Sequence, residues 1–198
     1  MAREQQRMRT RKDLLRAAGR LIAEGRTPSF DEIADAALVS RATAYRYFPG
    51  IDALLVEAAL DMAAPDPRVL EAAPAGLTDR LLFVDDAFDA MVRTNEAPLR
   101  TMLMHALQRR LRGEDELPVR QNRRMPMLQL AIGEARERPA PEAADRLAKA
   151  LAIIIATESM IVTKDVLQIS DDEAREVRRW AIRALAAAAL DGSGNVGS

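Results

Sequence analysis

The 198-residue chain contains no cysteine and a single histidine. Disulfides and thiolate metal sites are therefore excluded, and thiol or histidine-triad catalysis has almost no material to work with. A cysteine-free chain fits a reducing cytoplasm. Glycine (9) and proline (10) are sparse, and aromatic residues make up only 4%. Alanine and leucine dominate and β-branched runs are few, which favours helix over strand. No apolar run reaches the roughly 18 residues that a bilayer requires. Residues 1–12 are polar and Arg-rich, without the apolar centre of a secretion signal. Neither a Gly-rich phosphate loop nor a metal-ligand pattern such as H-E-x-x-H occurs. The expectation is an all-α, soluble, cytoplasmic protein that is not an enzyme, with no cofactor, no metal and no membrane partner.

What is present is an uneven charge. Residues 1–50 hold ten Lys/Arg against six Asp/Glu, a local charge of +4, whereas the remainder carries −5. A basic head on an acidic body is the asymmetry expected when one part of a chain meets phosphate.

Hydrophobic spacing divides the chain into about nine helices. Residues 1–9 lack periodicity and read as a mobile arm. Thr10 is placed to cap a first helix that carries Leu14, Ala17, Ala18, Leu21 and Ile22 on one face, and Gly25 stops it. Ser29-Phe-Asp-Glu32 is a capping-box pattern that opens a second helix, ending near Ala37. Ser40 caps a third, Arg41 to Phe48, which Pro49 and Gly50 terminate. A fourth runs from Asp52 to about Ala63, followed by a Pro-rich linker up to Thr78. Five further helices are expected at about 78–95, 97–112, 119–137, 141–166 and 171–190, with Pro141 and the Ser170-x-x-Glu173 box marking two starts. The expected domains are 1–50 (arm and first three helices), 51–78 (helix four and linker), 79–190 (the larger helical body) and 191–198 (a disordered tail).

Two helices of about two turns joined by a tight corner are unstable alone and must be held by a trihelical core. That is the outline of a helix-turn-helix, whose last helix enters the major groove. Ser40-Arg-Ala-Thr-Ala-Tyr-Arg-Tyr-Phe48 sets small alanines beside two arginines, two tyrosines, a threonine and a serine. Small residues allow close approach to the groove floor, arginine can read guanine through two hydrogen bonds, and hydroxyls bond phosphate. An ordinary amphipathic surface helix is the alternative for such a segment taken by itself.

The stretch Ser29-Phe-Asp-Glu-Ile-Ala-Asp-Ala-Ala-Leu-Val-Ser-Arg-Ala-Thr-Ala-Tyr-Arg-Tyr-Phe-Pro49 resembles the DNA-binding domain of the TetR family of transcription regulators, over roughly residues 10–60. The resemblance implies a TetR-like fold, with an N-terminal three-helix helix-turn-helix domain before a C-terminal helical bundle. It implies that Arg41, Ala42, Tyr45 and Arg46 face bases or sugar edges. Ser40, Thr43 and Tyr47 would anchor phosphates, and Phe48, Ile33 and Leu21 would be core. Two positions depart from the family pattern. Leu38 stands where glycine is usual in the turn, so a left-handed leucine or a different turn is expected. Ile51 stands where a phosphate-binding lysine is common. Arg3, Arg7, Arg9 and Arg11 could supply the missing contact along the backbone or minor groove, or form a solvated tail.

In the C-terminal body, Val177, Trp180, Ala181, Ala184, Leu185 and Ala188 form one stripe of the ninth helix, and Ala186–Ala189 permits close approach. Ile153-Ile154-Ile155 makes the eighth helix apolar all round, so it should be covered on several sides. Helices eight and nine meeting their symmetry mates would make a four-helix homodimer interface, as the resemblance also implies; an intrachain core is the alternative. Asp85 falls within an apolar face that includes Leu81, Val84, Phe88 and Met91, and a buried carboxylate needs a partner. A salt bridge to a neighbouring arginine or a cationic or hydroxylated ligand would serve. Candidate ligand-binding residues are Asp85, Phe88, Met91, Met102, Met125 and Glu158, since thioethers suit an adaptable pocket as well as a loose core. Glu158 could line the pocket or the dimer seam. His105 has no assigned role, and the cluster Arg109, Arg110, Arg112, Arg120, Arg123 and Arg124 reads as a solvated loop. The expected function is regulation of transcription through a double-stranded DNA operator. It is most simply a repressor released by an unidentified small-molecule ligand. A ligand-independent regulator or activator of the same fold, or a helical interaction protein without DNA binding, are the alternatives.

Overall fold

The computed structural model describes residues 2–113 and 122–192, with side chains from residue 5 onward. The described residues form ten α-helices, one 3-10 segment and one π turn, and no strand. They fall into two compact units, 1–64 with 95–121, and 65–94 with 122–198. Residues 114–118, the start of the expected helix at 119–121, Arg120 and residues 193–198 of the expected tail lie outside the described residues.

The first unit contains α1 (Ala2–Ala23), α2 (Phe30–Ala36), α3 (Arg41–Tyr47), α4 (Ile51–Ala63) and α6 (Glu96–Leu111). The supposed arm is helical from Ala2, and Thr10 lies within α1, its hydroxyl donating to the Gln6 carbonyl at 3.1 Å. Residues 2–9 are mostly Arg, Glu, Gln and Met, all good helix formers, and nothing among them interrupts a helix that the core nucleates downstream. α1 buries Leu14, Leu15, Ala17, Ala18 and Leu21. It ends where Gly25 adopts φ +75°, with Arg26 N–H donating to Leu21 O and Gly25 N–H to Ile22 O. Gly19 sits 3.3 Å, measured from an added Cβ, from Met62 Cγ of α4, so α1 and α4 are drawn close at that point.

Ile33, Ala34, Ala44, Tyr47, Phe48, Leu54 and Ala58 complete this core. The seven-residue α2 and α3 could not persist without it.

The second unit contains a 3-10 segment (Pro67–Ala72), α5 (Leu77–Thr94), α7 (Arg124–Gly133), α8 (Pro141–Ile154), α9 (Thr157–Ile161), a π turn (Val162–Val166) and α10 (Asp171–Leu190). α5 packs against α7 and α10, and α8 packs against α7 and α10. Arg80 of α5 is buried; its Nε donates to Ala131 O at 3.1 Å and its guanidinium pairs with Glu134 at 2.6 Å. Asp85 and Asp89 of α5 share Arg178 of α10, at 3.0 and 2.6 Å. Arg93 and Arg175 also pair with Asp89, and Arg179 pairs with Asp86. The bonds from Arg175, Arg178 and Arg179 join residues more than 80 apart in sequence and fix the register of α10 on α5.

The helix expected over 141–166 is broken. α8 ends at Ile154, Ala156 takes φ +77° and ψ −141°, and the chain resumes as α9 and the π turn. Three successive β-branched isoleucines weaken the helix here. Arg124 satisfies the carbonyls that the break frees, donating to Ala152 O and Ile155 O, each at 2.7 Å, and pairing with Glu158 at 2.6 Å. Ile155 is buried, but Ile153 is 72% exposed, so the isoleucine run is not covered on every side within one chain. The ninth expected helix is α10, with Ser170 accepting from Glu173 N–H at its start. Its inward face is Ala174, Arg178, Ile182 and Ala186, whereas the expected stripe faces outward: Val177 and Ala184 are exposed and Trp180 is 71% exposed.

Candidate DNA-reading face

The candidate reading face is set by three local devices. Ser29 closes the full capping box, its hydroxyl accepting from Glu32 N–H at 3.3 Å while the Glu32 carboxylate accepts from Ser29 N–H at 2.8 Å. The hydrogen bond from the Ser29 backbone, with further bonds from its hydroxyl and the charge of Arg26, holds the Glu32 carboxyl below its ordinary value. At the far end of α2, Leu38 adopts φ +58°. Leu38 N–H donates to Asp35 O and Val39 N–H to Ala34 O, each at 3.0 Å, so the helix ends in the paired-carbonyl arrangement that normally uses glycine. The third device is Ser40, whose hydroxyl accepts from Thr43 N–H at 3.1 Å and lies 2.9 Å from the Thr43 hydroxyl. Phe48, at φ −133° and ψ 129°, ends α3 as the residue before Pro49 must.

This places Arg41, Ala42, Tyr45 and Arg46 on the exposed side of α3, and turns Ala44, Tyr47 and Phe48 into the core. Tyr45 stacks on Phe30 with ring centroids 4.3 Å apart, so its ring is held while its edge stays in solvent. Ser40 and Thr43 are committed to each other at the cap, at the end of the helix where N–H groups favour anions. Tyr47 departs from its expected phosphate role: it is 7% exposed and belongs to the head core.

Of the four N-terminal arginines, Arg9 is exposed, Arg7 is half-buried, and the Arg3 side chain lies outside the described residues. Arg11 is the clear correction. It is 1% exposed, pairs with Glu57 of α4, donates to Tyr47 O at 3.1 Å and lies 4.3 Å above the Phe48 ring. Its position three and four residues before Leu14 and Leu15 puts it on the buried face of α1, where only a paired cation can be accommodated. Arg109 of α6, expected in a solvated loop, also donates to Tyr47 O, at 2.9 Å, and is buried. Two guanidinium groups therefore hold the last carbonyl of the reading helix. Both were readable as parts of a helical stripe, Arg11 with Leu14, Leu15 and Ala18, and Arg109 with Met102 and Ala106.

The six candidate ligand residues do not fall in one unit. Met102 belongs to the first, where it borders a small cavity with Arg11, Glu57, His105 and Arg109. Asp85, Phe88, Met91, Met125 and Glu158 belong to the second. Asp85 takes the salt-bridge reading through Arg178, while its Oδ2 is buried without a hydrogen bond. Burial raises the Asp85 carboxyl above its ordinary value against the pull of Arg178. Burial opposes ionisation of Asp89 too, but the bonds and charges of Arg175, Arg178 and Arg93 outweigh it, and that carboxyl is lowered. Glu158 is engaged with Arg124, Phe88 and Met91 are buried, and Met125 is half-buried. No helix of the described residues is long and apolar enough to cross a membrane.

A trihelical core, a capped and exposed reading helix and a tight turn define a helix-turn-helix DNA-binding unit. Residues 14–58 match the family described as bacterial regulatory proteins, tetR family, so this part of the chain is similar to the DNA-binding domain of those transcription regulators. Regulators of this family bind operator DNA, usually as homodimers, and are generally not enzymes. A search of curated proteins gave no match.

Proposed function

We propose that the protein is a repressor that occupies its operator as a homodimer, without enzymatic activity of its own, and leaves it when a small molecule binds. The observation that carries sequence-specific reading is the exposure of Arg41, Ala42, Tyr45 and Arg46 on one side of a helix whose other side is locked into the core. Arg41 and Arg46 read base edges in the major groove, Ser40 and Thr43 meet phosphate, and Arg7 and Arg9 add backbone attraction.

Dimerisation uses α8 and α10. A groove of about 390 Å³ between them is lined by Leu147, Ala150, Leu185, Ala188 and Ala189, and the exposed Ile153, Val177 and Trp180 lie on the same two helices. Apolar surface of this kind, on small residues that permit close approach, suits a second copy of the chain. The ligand enters the second unit, where Asp85, Phe88, Met91, Met125 and Glu158 are the candidate contacts. It lowers operator affinity only by favouring a protein state with a different spacing of the two reading helices.

The test is selection of duplexes from a random library by the full-length protein, followed by a screen of small molecules for release. Enrichment of a two-fold-related motif, and its loss on addition of a released-state ligand, are expected. Retention of all duplexes alike would overturn sequence-specific reading.

A further inference from the structure

Asp31, in the first turn of α2, faces the reading helix at an unexpected place. Its Oδ2 accepts from Arg41 Nη1 at 2.8 Å. The same guanidinium has Nη2 3.5 Å from the Tyr45 hydroxyl and lies 5.6 Å from the Tyr45 ring centroid. Tyr45 is in turn stacked on Phe30, the residue before Asp31. The guanidinium is thus bounded by a carboxylate, a hydroxyl and an aromatic face, all anchored in α2 or α3. Both members of the ion pair are more than half exposed. The hydrogen bond with Tyr45 and the charge of Asp31 raise Arg41 above its ordinary value.

A carboxylate on a DNA-facing surface is electrostatically unfavourable, because it repels phosphate and reduces counterion release. Its use there lies in geometry. A free arginine side chain samples many rotamers, and ordering it on a base costs entropy for right and wrong bases alike. A guanidinium held through one N–H keeps other N–H groups, including the second hydrogen of each terminal nitrogen, for the two-bond pattern that guanine accepts. Fixing its plane penalises a base that does not match that plane.

We propose that Asp31 is a positioning residue that sets the base preference of Arg41. The proposal rests on the reading of Arg41 as a base contact. It predicts opposite changes in two affinities. Asp31→Asn removes a charge that repels DNA, so affinity for random duplex rises, by about twofold at low salt. Preference for the selected base pair over its substitutes falls by about two- to fivefold, the range expected for losing an exposed ion pair.

The experiment measures binding of the full-length protein to duplexes it selects from a random library, and to variants of them at every position, at two salt concentrations. Wild type, Asp31→Asn, Arg41→Ala and the double variant are compared, each first shown by circular dichroism to keep the wild-type helix content and melting transition. Support requires that Asp31→Asn relax preference at the position that Arg41→Ala relaxes, and that it add nothing once Arg41 is absent. If Arg41→Ala changes no base preference, the base-reading assignment itself fails. If Arg41→Ala relaxes a position and Asp31→Asn does not, Asp31 has no positioning role. If Asp31→Asn sharpens preference there, Asp31 withholds Arg41 from DNA, which also overturns the proposal.

Discussion

Replacing Arg11 by methionine keeps most of the aliphatic bulk and removes the cation. Glu57 is then left with its carboxylate inside the head, where its side chain is 6% exposed. Breaking one side of a buried pair costs up to about 3–5 kcal/mol, since Glu57 keeps its burial and loses the Arg11 cation. The lost bond to Tyr47 O falls within that sum, because Arg109 still donates to the same carbonyl. For a chain of this size the loss corresponds to a drop in melting temperature of roughly 6–20 °C. The companion variant Arg11→Met/Glu57→Leu replaces both charges by apolar groups and recovers most of the stability, because a well-packed apolar pair can equal a buried ion pair. Denaturant unfolding followed by circular dichroism measures the two, together with Glu57→Leu to close the cycle. The salt dependence of DNA binding separates this account from the phosphate-contact alternative. If Arg11 touched phosphate, the double variant would lose about one unit of slope in log K against log salt. An unchanged slope with a destabilised single variant is expected. A loss of stability below about 1 kcal/mol in Arg11→Met, or a reduced slope in the double variant, would refute the reasoning.

Leu38→Gly relieves a left-handed leucine that is 94% exposed and so loses almost no packing. After the greater freedom of glycine in the unfolded chain is subtracted, a gain of about 0.5–1 kcal/mol is expected in denaturant unfolding, and a loss would contradict the turn geometry. Ala184→Glu places a carboxylate on the outward stripe of α10 and should yield folded monomers in sedimentation; a dimer of wild-type tightness would displace the interface from α10. Asp89, with its folded carboxyl lowered, contributes stability that is present above the usual carboxylate range and lost as pH falls through its folded value. Asp89→Asn should therefore destabilise by about 1–3 kcal/mol at pH 7 and approach wild-type stability in acid. Asp85, whose carboxyl is raised, opposes folding when ionised, so Asp85→Asn should cost less at pH 7 than Asp89→Asn. The reverse order in unfolding midpoints would overturn the assignment of the two carboxyls.

The head was legible because its rules are local. Ser29, Ser40 and Pro49 fix helix ends within four residues of themselves, and Leu38 could be suspected of a left-handed conformation from the turn alone. The fate of the arginines was not local. Arg11 looks like its neighbours Arg7 and Arg9 until Glu57 and the Tyr47 carbonyl, 46 and 36 residues away, are brought beside it. Helical spacing already put Arg11 on the apolar face, and a basic N-terminus was a poorer guide than that spacing. Asp85 was legible as a buried carboxylate, though Arg178 as its partner required the packing of α5 on α10. The break at Ala156 had only the isoleucine run as a signal, since the groups that stabilise it belong to Arg124, about 30 residues earlier. Packing also groups α6 with the head, whereas the sequence boundaries assigned all of 79–190 to the body. The connection there carries no glycine or proline run that would mark such a change.

The central claim is that α3 reads sequence through Arg41 while its capping hydroxyls serve only to position the helix on phosphate. The most direct measurement is the base preference of Arg41→Ala and Thr43→Ala in competition between selected and single-substituted duplexes. Arg41→Ala should reduce discrimination at one base pair of each half-site by about 1–3 kcal/mol, the range for a two-bond arginine contact, and leave the other positions alone. Thr43→Ala should weaken binding to all duplexes by a similar factor without altering their order. An unchanged order of preference in Arg41→Ala would contradict the account.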